Sequence, residues 1–214
     1  MPCVFTKGRI MMFWDKFASL FDFFEKIYNG KCYNALGERV AEFVEPTDKI
    51  LECACGTGAI SQSVAKYCYA LTATDTSEGM MKRARKKCRK LKNVRFRKAD
   101  IMELEYRDGA FDTIIAGNVI HLLDEPKKAL TELERVCKKD GKLIIPTYLC
   151  KEFNSQPAFA VRFLKMIGLD FKAQFTFEGY KQFFEDMGYT NVTYSVIGGR
   201  MPCAIAVIQL NKQK

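Results

Sequence analysis

The residues best placed to do chemistry in this 214-residue chain are Glu52, Asp75, Asp100, Asn118 and His121, each at or just beyond the end of an apolar run. Glu52 stands in Ile50-Leu51-Glu52-Cys53-Ala54-Cys55-Gly56-Thr57-Gly58, a strand pattern running into a glycine-bearing loop that opens a helix. Gly56 and Gly58 permit a tight turn and a close approach of backbone to ligand, and a helix N-terminus there favours a carboxylate or phosphate. A dinucleotide fingerprint would need a third glycine where this chain has Ser61. A carboxylate at Glu52 would repel a pyrophosphate and would suit an ammonium. A nicotinamide oxidoreductase is therefore disfavoured.

Asp75, with Thr76 beside it, follows the loop at the distance where this kind of site holds a ribose hydroxyl. Asp100 can accept from the exocyclic amine of an adenine, with Ile101 and Met80 as apolar contacts. Asn118 closes a fourth strand beside the loop. His121 is the only histidine and follows about one helical turn later. An imidazole there could take a proton from a thiol, a phenol or an enolisable carbon, or simply cap or pack its loop. Tyr148, at the end of a fifth strand, is expected to face an acceptor. Cys53 and Cys55 form C-x-C with no second pair at zinc-site spacing, so they are read as packing residues sharing a face, and no metal site is expected.

The elements that must position these groups alternate. Strands are expected at 49–54, 69–75, 93–100, 111–118 and 142–148. Helices are expected at Ala59–Tyr67, Ser77–Lys90 with Ser77 as N-cap, and Glu125–Lys138 with Asp124 as N-cap, Pro126 in the first turn and Gly141 suiting the stop. The third-to-fourth connection is too short for a helix. Alternation of this kind indicates parallel βαβ units. Further on, a helix at Glu178–Met187 ended by Gly188 precedes strands 191–198 and 203–210, which read as an antiparallel hairpin. The expected fold is thus α/β: a Rossmann-like doubly wound sheet, mostly parallel, with an antiparallel C-terminal hairpin strand, N-terminal helices and a helical lid insertion. It is one domain, divided into a helical cap (1–45), a cofactor-binding core (46–150), a lid (151–175) and the last helix and hairpin (176–214). Trp14, Phe17, Phe21, Phe159, Phe163 and Phe175 are the candidate pocket residues, since additions to such sheets tend to cover the carboxyl ends of the strands.

The segments ILECACGTGA, TATDTSEGMMKRA, RKADIMEL and FDTIIAGNVIHLLDEPKKALTELERVCKKDGKLIIPTY occur in the order of the motifs of class I S-adenosylmethionine-dependent methyltransferases, and the chain resembles that family over about residues 10–210. The small-molecule branch, including the ubiquinone/menaquinone C-methyltransferases, is the most similar. WDKFASLFD (14–22) is similar to that branch's F-D-x-x-A-x-x-Y-D, with Phe21 in place of the tyrosine. Ala54 replaces the first glycine of the loop. The resemblance implies that the Glu52–Cys53–Ala54 region and the Gly56/Gly58 backbone hold a methionine moiety. It implies further that Asp75 holds the ribose, Asp100 and Ile101 the adenine, and Asn118 a main-chain contact near the amine. The implied reaction moves a methyl group from S-adenosylmethionine to a small, partly hydrophobic acceptor, leaving S-adenosylhomocysteine; whether O, S, N or C receives it is open.

Composition bounds the alternatives. The net charge of +9 is uneven: 82–98 holds eleven Lys and Arg and no acid, so the rest of the chain carries −2. Such a block is first a solvated helix and strand, and second a patch for nucleic acid or an anionic membrane. An RNA methyltransferase using that patch is one alternative, yet AGNVIH lacks the Asn/Asp-Pro-Pro-aromatic run used on exocyclic base amines, so nucleic acid is not the expected partner. A non-catalytic S-adenosylmethionine-binding protein is another. No apolar run reaches the roughly 18 residues that would cross a bilayer. Nine cysteines without a secretory signal suggest reduced thiols and a cytoplasmic setting, with oligomeric state left open.

Overall fold

A computed structural model describes Asp15, residues 29–149 and residues 175–211. Residues 29–41 are helical (α1). There follow β1 (Lys49–Cys53), α2 (Ser61–Val64), β2 (Ala70–Asp75), α3 (Glu78–Lys87), β3 (Val94–Lys98), β4 (Phe111–Ala116), a 3-10 turn (Ile120–Leu122), α4 (Pro126–Val136), β5 (Cys137–Tyr148), α5 (Phe177–Asp186), β6 (Val192–Ile197) and β7 (Cys203–Gln209). They form one seven-stranded sheet in the order β3-β2-β1-β4-β5-β7-β6. β1 to β5 pair in parallel, and β7 runs antiparallel to both β5 and β6. The doubly wound sheet and its hairpin stand as expected.

Central strands of such a sheet are covered on both faces, which explains their near-continuous apolar runs. Alternation sends neighbours to opposite sides. Leu51, Ile114 and Ile145 join a cluster with Leu130 and Leu133 of α4 and Tyr180 and Phe184 of α5. Ile50, Ile115 and Ile144 join a second cluster with Leu36 and Val40 of α1 and Val64 of α2. Among the described residues no helix is long and apolar enough to cross a membrane.

Several boundaries differ from expectation, each for a local reason. α2 is one turn rather than nine residues, because Lys66 and Tyr67 donate to Ser63 and Val64 and close tighter turns. The residue flanking α4 is Glu125, without a side-chain cap, rather than Asp124, since Pro126 takes the first helical position and moves the boundary by one. Gly141 lies inside β5 and ends no helix; the chain passes from Val136 directly into extended backbone at Cys137. Ser77 does cap α3, accepting from the Met80 N–H. Most of the N-terminal cap and the lid insertion, with Trp14, Phe17, Phe21, Phe159 and Phe163, lie outside the described residues. Phe175 is described and buried, against Tyr180 and Phe183.

Candidate functional site

β1 and β4 are adjacent and their following helices cover opposite faces, so a crevice opens beyond their carboxyl ends, where ligands settle in folds of this kind. The loop leaving β1 turns through three left-handed residues, Ala54 (φ 53), Gly56 (φ 54) and Gly58 (φ 80). Gly58 is required twice over: besides its φ, a Cβ there would lie 2.9 Å from the Ala84 Cβ of α3. Gly56 differs. A Cβ on it would meet nothing within 4 Å, so this backbone faces open space.

Asp75 ties the loop to the next strand end. Its Oδ2 accepts the Gly56 N–H and its Oδ1 the Ser77 N–H, both at 2.8 Å. Burial pushes its carboxyl up from the usual range, although the backbone N–H groups of Ser77, Gly56 and Thr76 favour the charged form. Asp100 lies at the end of β3 next door, half-buried, with Oδ1 accepting the Met102 N–H at 3.0 Å. Met80 and Ile101 are buried nearby in sequence to these two acids. Asn118 is left-handed (φ 53); its N–H donates to the Pro146 carbonyl at 2.8 Å and its Oδ1 accepts the Tyr148 N–H at 3.1 Å. Thus Asn118 and Tyr148 are held together at the β4 and β5 ends. Tyr148 itself packs beside the α1 cluster.

Glu52 is closed under the loop, 2 % exposed, and the Ser61 hydroxyl donates to it. Burial pushes its carboxyl up to about 8. Glu52 therefore offers no direct contact to a ligand's ammonium in this arrangement. Its titration has a consequence for stability. The folded-state value lies above the unfolded one, so the stability it contributes is present at low pH and lost as pH rises through 8. His121 has the opposite sign. Burial lowers its imidazole to about 4, so its contribution is lost as pH falls below its ordinary value near 6.5. The window from pH 6.5 to 8 therefore reports Glu52. The ligand-free protein is expected to lose roughly 1–2 kcal/mol across it in urea unfolding, and Glu52→Gln, which keeps an acceptor for Ser61, should remove that slope.

Cys53 and Cys55 do not share a face. Cys53 packs with the α4/α5 cluster, whereas Cys55 packs with Ala73, Met81 and Ala84 on the other side. The left-handed turn at Ala54 breaks the alternation that would have put them together. Burial pushes the Cys53 thiol up to about 12 and the Cys55 thiol well above its ordinary value, which makes both poor nucleophiles. Ala54 also carries backbone strain. Ala54→Gly relieves on the order of 1 kcal/mol and adds unfolded-chain entropy of similar size, so stability should stay level or rise by up to about 1 kcal/mol in denaturant unfolding.

Three partners escaped the sequence reading. Asp15 accepts from the Ser77 hydroxyl at 2.6 Å and the Gly79 N–H at 2.9 Å, and these two donors hold its carboxyl below the usual range. The available signal was its place in WDKFASLFD. Ser61 supports Glu52; the signal was a polar residue where the dinucleotide pattern has glycine. Lys87 donates to Thr57 Oγ1 at 2.9 Å and to the Tyr33 hydroxyl at 3.1 Å, pinning the loop to α1. Nothing in the basic block singled it out.

Comparison with known proteins agrees with this geometry. Residues 51–145 match the family described as "Methyltransferase domain". The chain is 33% identical over 107 residues to a phosphatidylethanolamine N-methyltransferase of Cereibacter sphaeroides, covering 49% of this chain and 52% of that protein. It is 35% identical over 115 residues to a demethylmenaquinone methyltransferase of Clavibacter sepedonicus, covering 54% of this chain and 45% of that one. The matches thus span about half the length of these relatives. Among solved structures, a Haloferax volcanii protein in complex with the Trm112 methyltransferase activator superposes with a TM-score of 0.77 at 15% identity, covering 96% of this chain and 99% of that one. The [4+2]-cyclase SpnF superposes with a TM-score of 0.74 at 18% identity over 94% and 95% of the two chains. Likeness at that identity establishes the fold.

Proposed function

We propose that this chain, which carries a class I S-adenosylmethionine-dependent methyltransferase domain, moves a methyl group to a small, partly hydrophobic acceptor. The observation that carries the reading is the pairing of the Gly56 turn with Asp75: a backbone standing open to the crevice, fixed by an acid at the neighbouring strand end. Such a crevice fits an adenosyl amino acid. The Gly56–Gly58 backbone would take the amino-acid tail, Asp75 and Thr76 the ribose hydroxyls, and Asp100 with Ile101 and Met80 the adenine. Asn118, left-handed at the β4 end, would present main chain near the amine. A cation in the crevice would in turn favour the ionised form of Glu52 beneath the loop.

Bound S-adenosylmethionine supplies an electrophilic methyl group on a sulfonium. The protein's own part is orientation, holding nucleophile, methyl carbon and sulfur in line. His121, buried and neutral at pH 7, has the form that accepts a proton, though burial makes it a weaker base than an ordinary imidazole. That suits an acceptor that is already nucleophilic, with His121 taking the proton late. Tyr148, held beside Asn118 at the β5 end, would line the acceptor side, whereas Phe175 packs in the core against α5. The relatives named for phosphatidylethanolamine and demethylmenaquinone support an acceptor with an apolar body.

The test is S-adenosylhomocysteine formation across a panel of thiols, phenols, quinols, amines and lipids. Turnover with an apolar acceptor is expected. Tight cofactor binding with no product across the panel would favour the second reading, a cofactor-binding protein with another task, which the likeness to a cyclase makes concrete.

A further inference from the structure

The basic block runs along one edge of the sheet: α3 covers the face of β3 that bears Phe96, and Arg95 and Arg97 fall on the opposite face of that strand. β3 is the outermost strand of the sheet, and α3 lies beside it. Nine of the eleven basic residues between Lys82 and Lys98 are exposed, and the two others are half-buried. The only acid on this segment of α3 and β3 is Glu78, which is paired with Arg85. The strand alone extends about 17 Å, and at physiological salt the screening length is about 8 Å, so neighbouring charges act together on a surface laid against them.

The aromatic residues around this edge have a distinctive placement. Phe96, the one aromatic between Gly79 and Ala99, is half-buried with the Arg85 guanidinium 5.9 Å from its ring centroid. It offers no open platform for a nucleic-acid base. Among the described residues the exposed rings are Tyr67 (49%) and Tyr69 (65%), in the turn before β2. Asn93 locks that turn to the one before β3, donating to the Ala65 and Cys68 carbonyls at 2.8 and 3.0 Å, while its own carbonyl accepts from Leu71. Both tyrosines therefore stand at the same end of the sheet as Lys90 and Lys92, which are exposed. Phenol rings bordered by ammonium groups match the headgroup level of a bilayer, where the ring lies among glycerol and acyl segments and the cations meet phosphate.

We propose that the α3–β3 edge, with Tyr67 and Tyr69 at its end, docks this protein on an anionic phospholipid surface. The contact needs no cofactor and no turnover, so it stands or falls apart from methyl transfer. The test is flotation of the full chain with vesicles of phosphatidylcholine containing about 30% phosphatidylserine, against phosphatidylcholine alone. Binding is expected on the anionic vesicles at about 0.1 M salt, with loss at about 0.5 M and none on the zwitterionic ones. Arg89→Glu/Lys92→Glu/Arg95→Glu should lower partitioning at least about ten-fold, and Tyr67→Ser/Tyr69→Ser a few-fold at unchanged charge. The neutral triple Arg89→Gln/Lys92→Gln/Arg95→Gln makes the same test with a smaller loss where the reversal perturbs folding. No binding to anionic vesicles, or equal binding by either triple variant with a wild-type melting temperature, would overturn the proposal. So would tight, salt-sensitive binding of single-stranded RNA by a chain that ignores vesicles.

Discussion

Asp75→Ala is expected to weaken binding of S-adenosylhomocysteine by about 1–3 kcal/mol, roughly 5- to 150-fold in Kd. Two losses combine. The charged acceptor for the ribose hydroxyls goes, and so does the group that fixes the Gly56 N–H and the Ser77 N–H at 2.8 Å each. Asp75→Asn separates them, since an amide oxygen can keep one of those bonds while the negative charge is lost. Its affinity should fall between wild type and the alanine variant. Titration calorimetry of the three proteins measures the order, and unchanged affinity in Asp75→Ala would remove the ribose assignment.

Gly58→Ala should destabilise the fold by roughly 2–5 kcal/mol, combining a left-handed alanine with overpacking against α3. The new Cβ would sit 2.9 Å from the Ala84 Cβ and 3.0 Å from its Cα. Neither atom is the end of a flexible side chain, so the helix itself must move, and Ser77 and Met80 move with it. For a chain of this size each kcal/mol shifts the melting temperature by about 2–4 °C, which makes the effect easy to measure. Adding Ala84→Gly should restore part of the lost stability if the contact is the cause. Gly56→Ala is the informative contrast: with nothing within 4 Å of the new Cβ it should cost only backbone strain, on the order of 1 kcal/mol, yet impair cofactor binding because the methyl group stands in the crevice.

Much of this arrangement was legible in the residue order because the signals are strong and local. Parallel strands buried on both faces write themselves as apolar runs such as FDTIIA. Ser77 and Gly188 mark helix ends by the rules that govern caps, and both do so in the structure. What escaped depends on distance in sequence. Asp15 meets Ser77 62 residues away, and Lys87 meets Tyr33 54 residues away; no periodicity announces such pairs. The Arg135 fork belongs to the same class, donating to the Leu104 and Tyr106 carbonyls and so tying down the helix-free connection before β4. The expectation for the two cysteines failed because strand alternation was carried past Ala54, where a left-handed residue ends the strand geometry. Glu52 shows a further limit. Its residue type suggested a partner for an ammonium, but only the fold reveals that Ser61 closes it beneath the loop.

Titration calorimetry of the full wild-type chain with S-adenosylhomocysteine bears most directly on the crevice beyond β1 and β4 and the acids at the β2 and β3 ends beside it. One saturable site per chain with a Kd in the micromolar range or tighter is the expected outcome. An absence of binding up to about 1 mM, a free energy weaker than about 4 kcal/mol, would contradict the account at its root.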